Sequence, residues 1–196
     1  MKKWLSVFLI VFLAGCNGEN EEEDQNAQFF PVVSYLNSQV SHVDTSLYKI
    51  IKIVTVNGAS DTSYIPREQF RNEAKDFISI PDIASKKLKK RYTETQLFDE
   101  EMNSVVLTYA PKKENMEIRR LDVAIEPNMT EGDKVTSIFI DQWKEAGDSA
   151  IQNKMIWYVG KSFQVNKIIQ VPNKPERIVK TEVIWNDHED DFAEDQ

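Results

Sequence analysis

Residue types that carry out catalysis are scarce in this 196-residue chain. There is one cysteine, Cys16, and the two histidines, His42 and His188, lie far apart in the sequence. A Ser-His-Asp arrangement would have to use His42, because a histidine near the chain end is poorly held, and no Gly-x-Ser-x-Gly motif is present. We expect His42 instead to make a favourable contact with the dipole at the end of a helix. The sequence therefore predicts no catalytic residues and no enzyme activity.

Clusters of acidic side chains offer a second kind of chemistry. Residues 99–101 are three consecutive acids, and residues 188–191 are a histidine followed by three acids. Three adjacent acids are typical of a solvated turn, and carboxylates near a chain end lack the fixed geometry of a catalytic metal site. Phosphate-loop and dinucleotide-binding motifs are absent as well. The sequence predicts neither a metal site nor a cofactor, and a surface hydrolase remains an alternative from the enzyme class.

The segment before Cys16 has the features of an export signal. Lys2 and Lys3 precede an apolar stretch, residues 4–13, that is too short to cross a bilayer of about 30 Å as a helix. Residues 13–16, Leu-Ala-Gly-Cys, resemble the bacterial lipobox, in which the cysteine thiol receives a diacylglyceryl group. The resemblance implies that residues 1–15 are a lipoprotein signal peptide and that Cys16 anchors the mature chain to the lipid bilayer. The alternative is an ordinary signal peptide with an incidental cysteine.

Residues 16–28 connect this anchor to the rest of the chain. They contain five acids and no bases, a composition that cannot bury enough apolar surface to offset the entropic cost of ordering. We therefore predict an acidic, disordered tether. An acidic block behind the cysteine also resembles the signal that directs lipoproteins of Bacteroidetes-type bacteria to the cell surface, and the alternative is a plain solvated linker. The resemblance implies a cell-envelope location, lipid-anchored in the outer membrane on its periplasmic or surface face.

The charge of the chain limits its partners. The formal net charge is −8 at pH 7, and it becomes −10 once Lys2 and Lys3 are removed with the signal peptide. Because such a surface repels phosphate backbones, nucleic acid is not an expected partner. One short segment has the opposite sign and contains Lys86, Lys87, Lys89, Lys90 and Arg91. We predict a solvated helix face with Leu88 and Ala84 turned inward, and the alternative is a site for an acidic partner or lipopolysaccharide phosphates.

Tryptophans are the remaining candidates for recognition. Trp157 shares its parity with Met155 and Val159, which predicts a place in the core. Trp143 follows a predicted strand and stands beside charged residues, which predicts exposure. Because aromatic side chains that are partly exposed are favoured contact residues, Trp143 is our first choice for a binding interface.

The elements that must position these residues form one domain, residues 29–186, followed by an acidic, disordered tail over residues 187–196. Apolar residues at steps of three and four predict a helix over 31–43. Residues 48–56 are rich in β-branched residues and lead to Asn57-Gly58, a hairpin signal, with 63–65 as the return strand. A second helix is predicted from Pro66, with Phe70, Ala74 and Phe77 on one face. A third is predicted from Pro81.

From Tyr92 onward the apolar pattern changes to period two, which predicts an antiparallel meander. A change of parity between Ile118 and Leu121 predicts a β-bulge near Arg119-Arg120. We expect an α+β domain in which two or three N-terminal helices pack on one face of a curved antiparallel sheet. The predicted strands cover residues 91–98, 103–110, 116–126, 134–141, 150–159, 162–171 and 178–186.

Two resemblances bear on function. The helix-then-meander layout is similar to cystatin-like folds and to the open half-barrels that carry lipoproteins across the periplasm, and no motif residue supports either. Residues 121–127 and 134–140 resemble segments of envelope lipoproteins of Bacteroidetes-type bacteria. The whole pattern predicts a non-catalytic binding or assembly module with another envelope protein as partner, and the alternative is a carrier of a lipid or other apolar ligand.

Overall fold

Residues 28–186 are described by a computed structural model, and within them nine strands form a single antiparallel sheet. The predicted signal peptide 1–15, Cys16 and nearly all of the predicted tether lie outside the described residues, as does the predicted tail 187–196. The sheet is open, and its spatial order is β2-β1-β9-β8-β7-β6-β5-β4-β3. The strands are β1 Ile50–Val56, β2 Ala59–Ile65, β3 Tyr92–Asp99, β4 Ser104–Pro111, β5 Ile118–Glu126, β6 Lys134–Ala146, β7 Ser149–Tyr158, β8 Ser162–Gln170 and β9 Arg177–Ile184.

The first hairpin forms where the sequence predicted it. Asn57 and Gly58 both have positive φ, 52° and 82°, as the two central residues of a type I′ turn require. The return strand β2 is longer than predicted, since it begins at Ala59 directly after the turn. β1 also pairs with β9, from Ile51 opposite Ile184 to Val56 opposite Val179, so the N-terminal hairpin extends the sheet that the C-terminal meander builds.

Three short helices precede or interrupt the strands. α1 covers Val32–Thr45, close to the predicted 31–43, and buries Val32, Leu36, Val40 and Val43. The predicted second helix is two helices, α2 Arg67–Glu73 and α3 Lys75–Ile78, with Ala74 at the junction. Phe70, Ala74 and Phe77 are all buried, so the predicted inward face is confirmed although the helix is interrupted.

The third predicted helix, from Pro81, does not form. Residues 83–88 are turns, and only Lys89–Arg91 makes a single turn of 3-10 helix. Backbone hydrogen bonds here span three residues, such as Ser85 N to Asp82 O at 3.1 Å and Leu88 N to Ser85 O at 3.0 Å, as in successive turns. Ile83 is nevertheless buried, and Ala84 and Leu88 pack against the core, so the inward residues were predicted correctly.

The period-two pattern of the meander is confirmed by its register. Trp157 of β7 lies opposite Ile138 of β6 and Phe163 of β8, and all three side chains are fully or almost fully buried. The next row on the same face is Ile140, Met155 and Val165, also buried. Residues of the other parity are exposed or partly exposed, including Tyr158. One face of the central strands therefore supplies the core, as the alternation requires.

An aromatic cluster joins α2 and α3 to the sheet. The ring of Phe77 lies 5.3 Å from that of Trp157 and 5.2 Å from that of Phe163. Phe70 meets the ring of Trp185 edge-on at 5.1 Å. These separations are typical of packed aromatic pairs. Because the partners lie 80 to 115 residues apart in the sequence, the cluster joins distant segments of the chain.

The predicted β-bulge is present at Arg119. Ile118 pairs with Gln142 and Arg120 pairs with Asp141, which leaves Arg119 of β5 without a partner in β6. A second irregularity occurs between Ala124 and Ile125. β6 itself is five residues longer than predicted, because it continues to Ala146 and turns into β7 through Gly147, whose φ is positive.

The two edge strands differ in character. β2 displays mostly small polar residues, whereas β3 ends in exposed apolar side chains near its turn. Leu97 is 72 % exposed and Phe98 is 50 % exposed, and Met102 in the adjoining turn is 57 % exposed. Along its outer side, β3 has no neighbouring strand within residues 28–186, so its backbone groups there are unpaired by the sheet. The exposed apolar side chains lie at the end of the same strand.

We predict that Trp157→Ala destabilises the domain by about 3–5 kcal/mol, because it removes the central ring of the aromatic cluster. Urea denaturation followed by circular dichroism measures this change. Tyr158→Ala is the matched control on the next residue, whose side chain is 45 % exposed, and it should change stability by less than about 0.5 kcal/mol. Equal losses for the two variants would contradict the assignment of the core.

Candidate binding surface

Trp143 lies within β6 and not beyond a strand end, which corrects the sequence-based placement. It pairs with Gln152 of β7, and its backbone N–H donates to Glu117 O at 2.8 Å. The strand continues past residue 141 because the hairpin with β7 extends to the pair Ala146 and Ser149. The Trp143 side chain is half-buried, so one part of its ring surface is covered and another faces solvent.

The β-bulge accounts for what covers Trp143. The guanidinium carbon of Arg119 lies 5.6 Å from the Trp143 ring centroid, within the range of a cation–π contact. Arg119 is the residue that the bulge removes from the ladder. The Nε atom of Arg119 is buried and has no hydrogen-bond partner within residues 28–186. Arg119 and Trp143 therefore form one unit on the surface, which sequence parity predicted only as a bulge and a separate tryptophan.

Polar contacts surround this unit on the same face of the sheet. Arg120 Nε donates to both carboxylate oxygens of Asp122, at 2.9 and 2.8 Å, and the Thr108 hydroxyl donates to Asp122 at 2.8 Å. Gln152, opposite Trp143, donates to Asp141 at 2.8 Å. The Thr108–Asp122 and Gln152–Asp141 bonds cross between neighbouring strands, as is typical of a solvated sheet face, whereas Arg120 and Asp122 both lie in β5. The first bond ties β4 to β5, and the second ties β6 to β7.

On the opposite face, at the same level of the sheet, two buried amide side chains and one carboxylate form a series of hydrogen bonds, here called the amide chain. Gln142 Nε2 donates to Glu117 Oε1 at 2.8 Å, and Asn153 Nδ2 donates to Gln142 Oε1 at 3.0 Å. The carboxylate accepts only, so it sets the direction of both amides. Asn153 Oδ1 is left at the end of the chain, buried and without a hydrogen-bond partner among the described residues. No sequence pattern pointed to this chain, because isolated Gln and Asn residues in a strand usually face water.

The predicted basic segment forms a surface of its own, here called the basic cluster: Lys86, Lys87, Lys89, Lys90 and Arg91. It is a turn that leads into β3 and not the predicted solvated helix face. Four of its side chains are exposed, and Lys89 is partly covered, with its ammonium 5.6 Å from the Phe29 ring. Lys112 follows β4 beside it, since Lys112 N donates to Arg91 O at 2.8 Å.

The basic cluster and Trp143 share one end of the sheet. β3 and β5 begin at this end and β4 and β6 finish there, because neighbouring strands are antiparallel. The basic cluster, before β3, and Trp143, in β6, therefore lie at the same end of the sheet. Two strands, β4 and β5, separate β3 from β6. The contacts do not join them into one cluster, and each group has separate neighbours.

Other residues considered for chemistry lie apart from this end. His42 is exposed in the last turn of α1, with its ring 6.2 Å from that of Tyr48, which agrees with the expected position at a helix end. Asp99 accepts a hydrogen bond from Met102 N at 3.0 Å, as in a solvated turn. His188 lies outside the described residues. Within residues 28–186, no three side chains of His, Cys, Asp or Glu come together as a set that could hold a metal ion.

Two buried tyrosines make structural hydrogen bonds, and one of them, Tyr109, connects the N-terminal segment to the sheet. Phe30 N donates to the Tyr109 hydroxyl at 3.0 Å, and the Phe29 and Tyr109 rings lie 4.9 Å apart. Burial raises the pKa of Tyr109 well above its usual value, and the nearby Glu94 raises it further. Burial likewise raises the pKa of Tyr92, whose hydroxyl donates to Ile118 O at 3.2 Å. Both phenols are therefore structural hydrogen-bonding groups.

Comparisons with known proteins give no family for this chain. No protein-family model, curated protein or solved structure matches it significantly. Within residues 28–186, every helix is too short or too polar to span a bilayer. The role of this surface must therefore be inferred from its geometry and from the sequence.

We predict that Gln142 and Asn153 are energetically coupled. Asn153→Leu should cost about 1–3 kcal/mol of unfolding free energy, because it leaves Gln142 Oε1 buried without a donor. Adding Gln142→Leu should recover part of this cost, since Glu117 is 39 % exposed and can bond to water. Urea denaturation of the two single variants and the double variant completes the cycle. Additive losses would show that the amides do not act as a unit.

Proposed function

We propose that this chain is a lipid-anchored envelope lipoprotein whose domain, residues 29–186, is a non-catalytic binding or assembly module. The observation that carries the proposal is the Arg119–Trp143 pair, half-buried and bordered by charged and amide side chains. Arginine and tryptophan are the residue types that most often dominate the energy of protein interfaces. The bulge places Arg119 against the Trp143 ring before a partner arrives, and such preorganisation lowers the entropic cost of binding.

We also propose that the helices cover one face of a curved sheet and leave the other face for binding. The contacts of Phe70 and Phe77 with Trp157 and Phe163 support this arrangement. Two ion pairs between helix and sheet add to it, Lys52 with Glu73 at 2.7 Å and Lys167 with Asp76 at 3.5 Å. Trp143 has the opposite strand parity to the buried row, so it faces away from these contacts.

The location follows from the N-terminal residues. The lipobox-like residues 13–16 support lipidation of Cys16, and the acidic block behind it supports delivery to the outer membrane. The domain then needs no transmembrane helix of its own to stay at the bilayer, because two or three acyl chains hold it there.

A carrier of an apolar ligand is the second candidate function. It is favoured by one observation: Trp157 Nε1 and Trp185 Nε1 are buried donors without a partner within residues 28–186. Their ring centroids are 5.2 Å apart, so the two unpaired donors belong to the same part of the core, where a polar atom of a bound ligand would be needed to pair with them. The stacked rings of Trp157 and Phe163, 5.3 Å apart, already fill this part of the core, which favours the binding module.

Lipidation is tested by Cys16→Ala in the native host. We predict that the variant leaves the membrane fraction and carries no fatty acid, because the thiol that forms the thioether is gone. Asn17→Ala, at the neighbouring residue, is the control and should stay with the membrane. Fractionation and mass spectrometry of the intact protein provide the readout. A membrane-bound, unacylated product of the unaltered gene would refute the anchor.

The interface is tested by a photo-crosslinking amino acid placed at Trp143 in living cells. We predict a crosslinked product of discrete mass, with the same substitution at Tyr158 giving none, since Tyr158 is exposed on the same face but at the other end of the strands. Mass spectrometry of the purified, uncrosslinked protein separates the two functions. One stoichiometric bound lipid together with an absence of crosslinks at position 143 would replace the module by the carrier.

A further inference from the structure

The basic cluster lies where the described chain begins. Phe29 packs on Tyr109 at 4.9 Å, and the ammonium of Lys89 lies 5.6 Å from the same phenylalanine ring. The chain therefore enters the domain beside these cations. Only residues 17–28 separate Phe29 from Cys16, so the two residues can be at most about 45 Å apart even at full extension. A lipid on Cys16 would keep this end of the domain close to the bilayer.

The positive charge at this end is larger than the basic cluster alone. β4 finishes opposite the start of β3, with Pro111 paired to Tyr92, and Lys112 and Lys113 follow directly. Seven cations thus gather where the chain enters, in a protein whose formal net charge is −8.

The exposed members of the group are suited to a surface ligand and not to a pocket. Lys86, Lys87, Lys90 and Arg91 are all exposed, the first two in turns and the last two in the single 3-10 turn. Exposed cationic groups on long side chains match a layer of phosphates, which needs no fixed stereochemistry. The charge complements an anionic leaflet, and the position beside residue 28 turns it toward that leaflet.

We propose that the basic cluster, together with Lys112 and Lys113, is a bilayer-contact surface that binds the anionic phosphate headgroups of the leaflet in which Cys16 is anchored. The proposal rests on the lipid anchor of the proposed function. The contact orients the domain, because it places the entry end of the sheet against the headgroups and fixes the direction in which the strands run relative to the bilayer. The Arg119–Trp143 pair then lies near the bilayer surface, two strands from the contact.

Lysine footprinting of the acylated full-length product tests this surface. The protein is reconstituted into phosphatidylcholine vesicles, with or without phosphatidylglycerol, and labelled with an amine-reactive acetylating reagent. We expect Lys86, Lys87 and Lys90 to react at least about threefold more slowly in the anionic vesicles, and high salt to restore their reactivity. Lys134, exposed at the opposite end of the strands, should react equally in both. If each of the four lysines reacted at the same rate in neutral and in anionic vesicles, the proposal would be overturned.

A matched pair of charge reversals checks that the protection is electrostatic. Lys86→Glu with Arg91→Glu should abolish the slowing at Lys87 and Lys90, whereas Lys134→Glu with Lys154→Glu, an equal change in net charge, should leave it intact. Circular dichroism confirms that both proteins are folded. If the control pair abolishes the slowing as well, overall charge and not this surface is responsible, and the proposal fails.

Two further arms separate this proposal from its alternatives. Flotation with neutral vesicles reports the anchor alone, so a protein that does not float has lost the proposed function and not the surface contact. Labelling in neutral detergent micelles reports the chain without lipid phosphate. Slow labelling there, equal to that in anionic vesicles, would mean that the acids of residues 17–28 cover the basic cluster, which overturns the headgroup assignment.

Discussion

The packing of Phe70 and Phe77 against Trp157 and Phe163 is the interaction on which the rest of the structure depends. It joins two helical segments near the start of the domain to two strands near its end. An open antiparallel sheet with one apolar face needs something to cover that face, and no disulfide is available to a chain with one cysteine. The register of β6, β7 and β8 follows from this contact, because a slip by one residue would turn Trp157 and Phe163 to the solvent side.

The irregular positions of the sheet are where its surface gains specific features. A regular β5 would place Arg119 in the ladder, whereas the bulge frees it to lie against Trp143. At the same level of the sheet, on the other face, the core contains amides instead of aliphatic side chains, with Glu117 at their end. Buried amides cost stability unless they are bonded, and here each amide donates a hydrogen bond while Asn153 Oδ1 has no partner among the described residues.

Sequence patterns predicted most of the helices and strands, but not all of their ends and not the contacts between them. Period two fixed the seven strands of the meander to within a few residues, and the parity change at Ile118 and Leu121 located the bulge. The helix from Pro81 was wrong because the same apolar spacing also suits successive turns that bury Ile83. Trp143 was placed outside the strand because the apolar alternation of β6 stops at Ile140, and mostly polar residues continue the hairpin to Ala146. The Arg119–Trp143 contact and the amide chain involve residues more than ten positions apart, and a single sequence contains no record of such pairs.

The attachment of the chain start to Tyr109 has a mechanical consequence. Tyr109 lies in β4, which has a hydrogen-bonded neighbour on each side, and Phe29 and Phe30 hold it by a ring contact and a backbone hydrogen bond. Tension on the residues before Gln28 would therefore load an interior strand first and not peel an edge. Phe29 and Phe30 would detach before any pair of strands separates. This short segment would therefore yield first when the chain is pulled, and the sheet would unfold only afterwards.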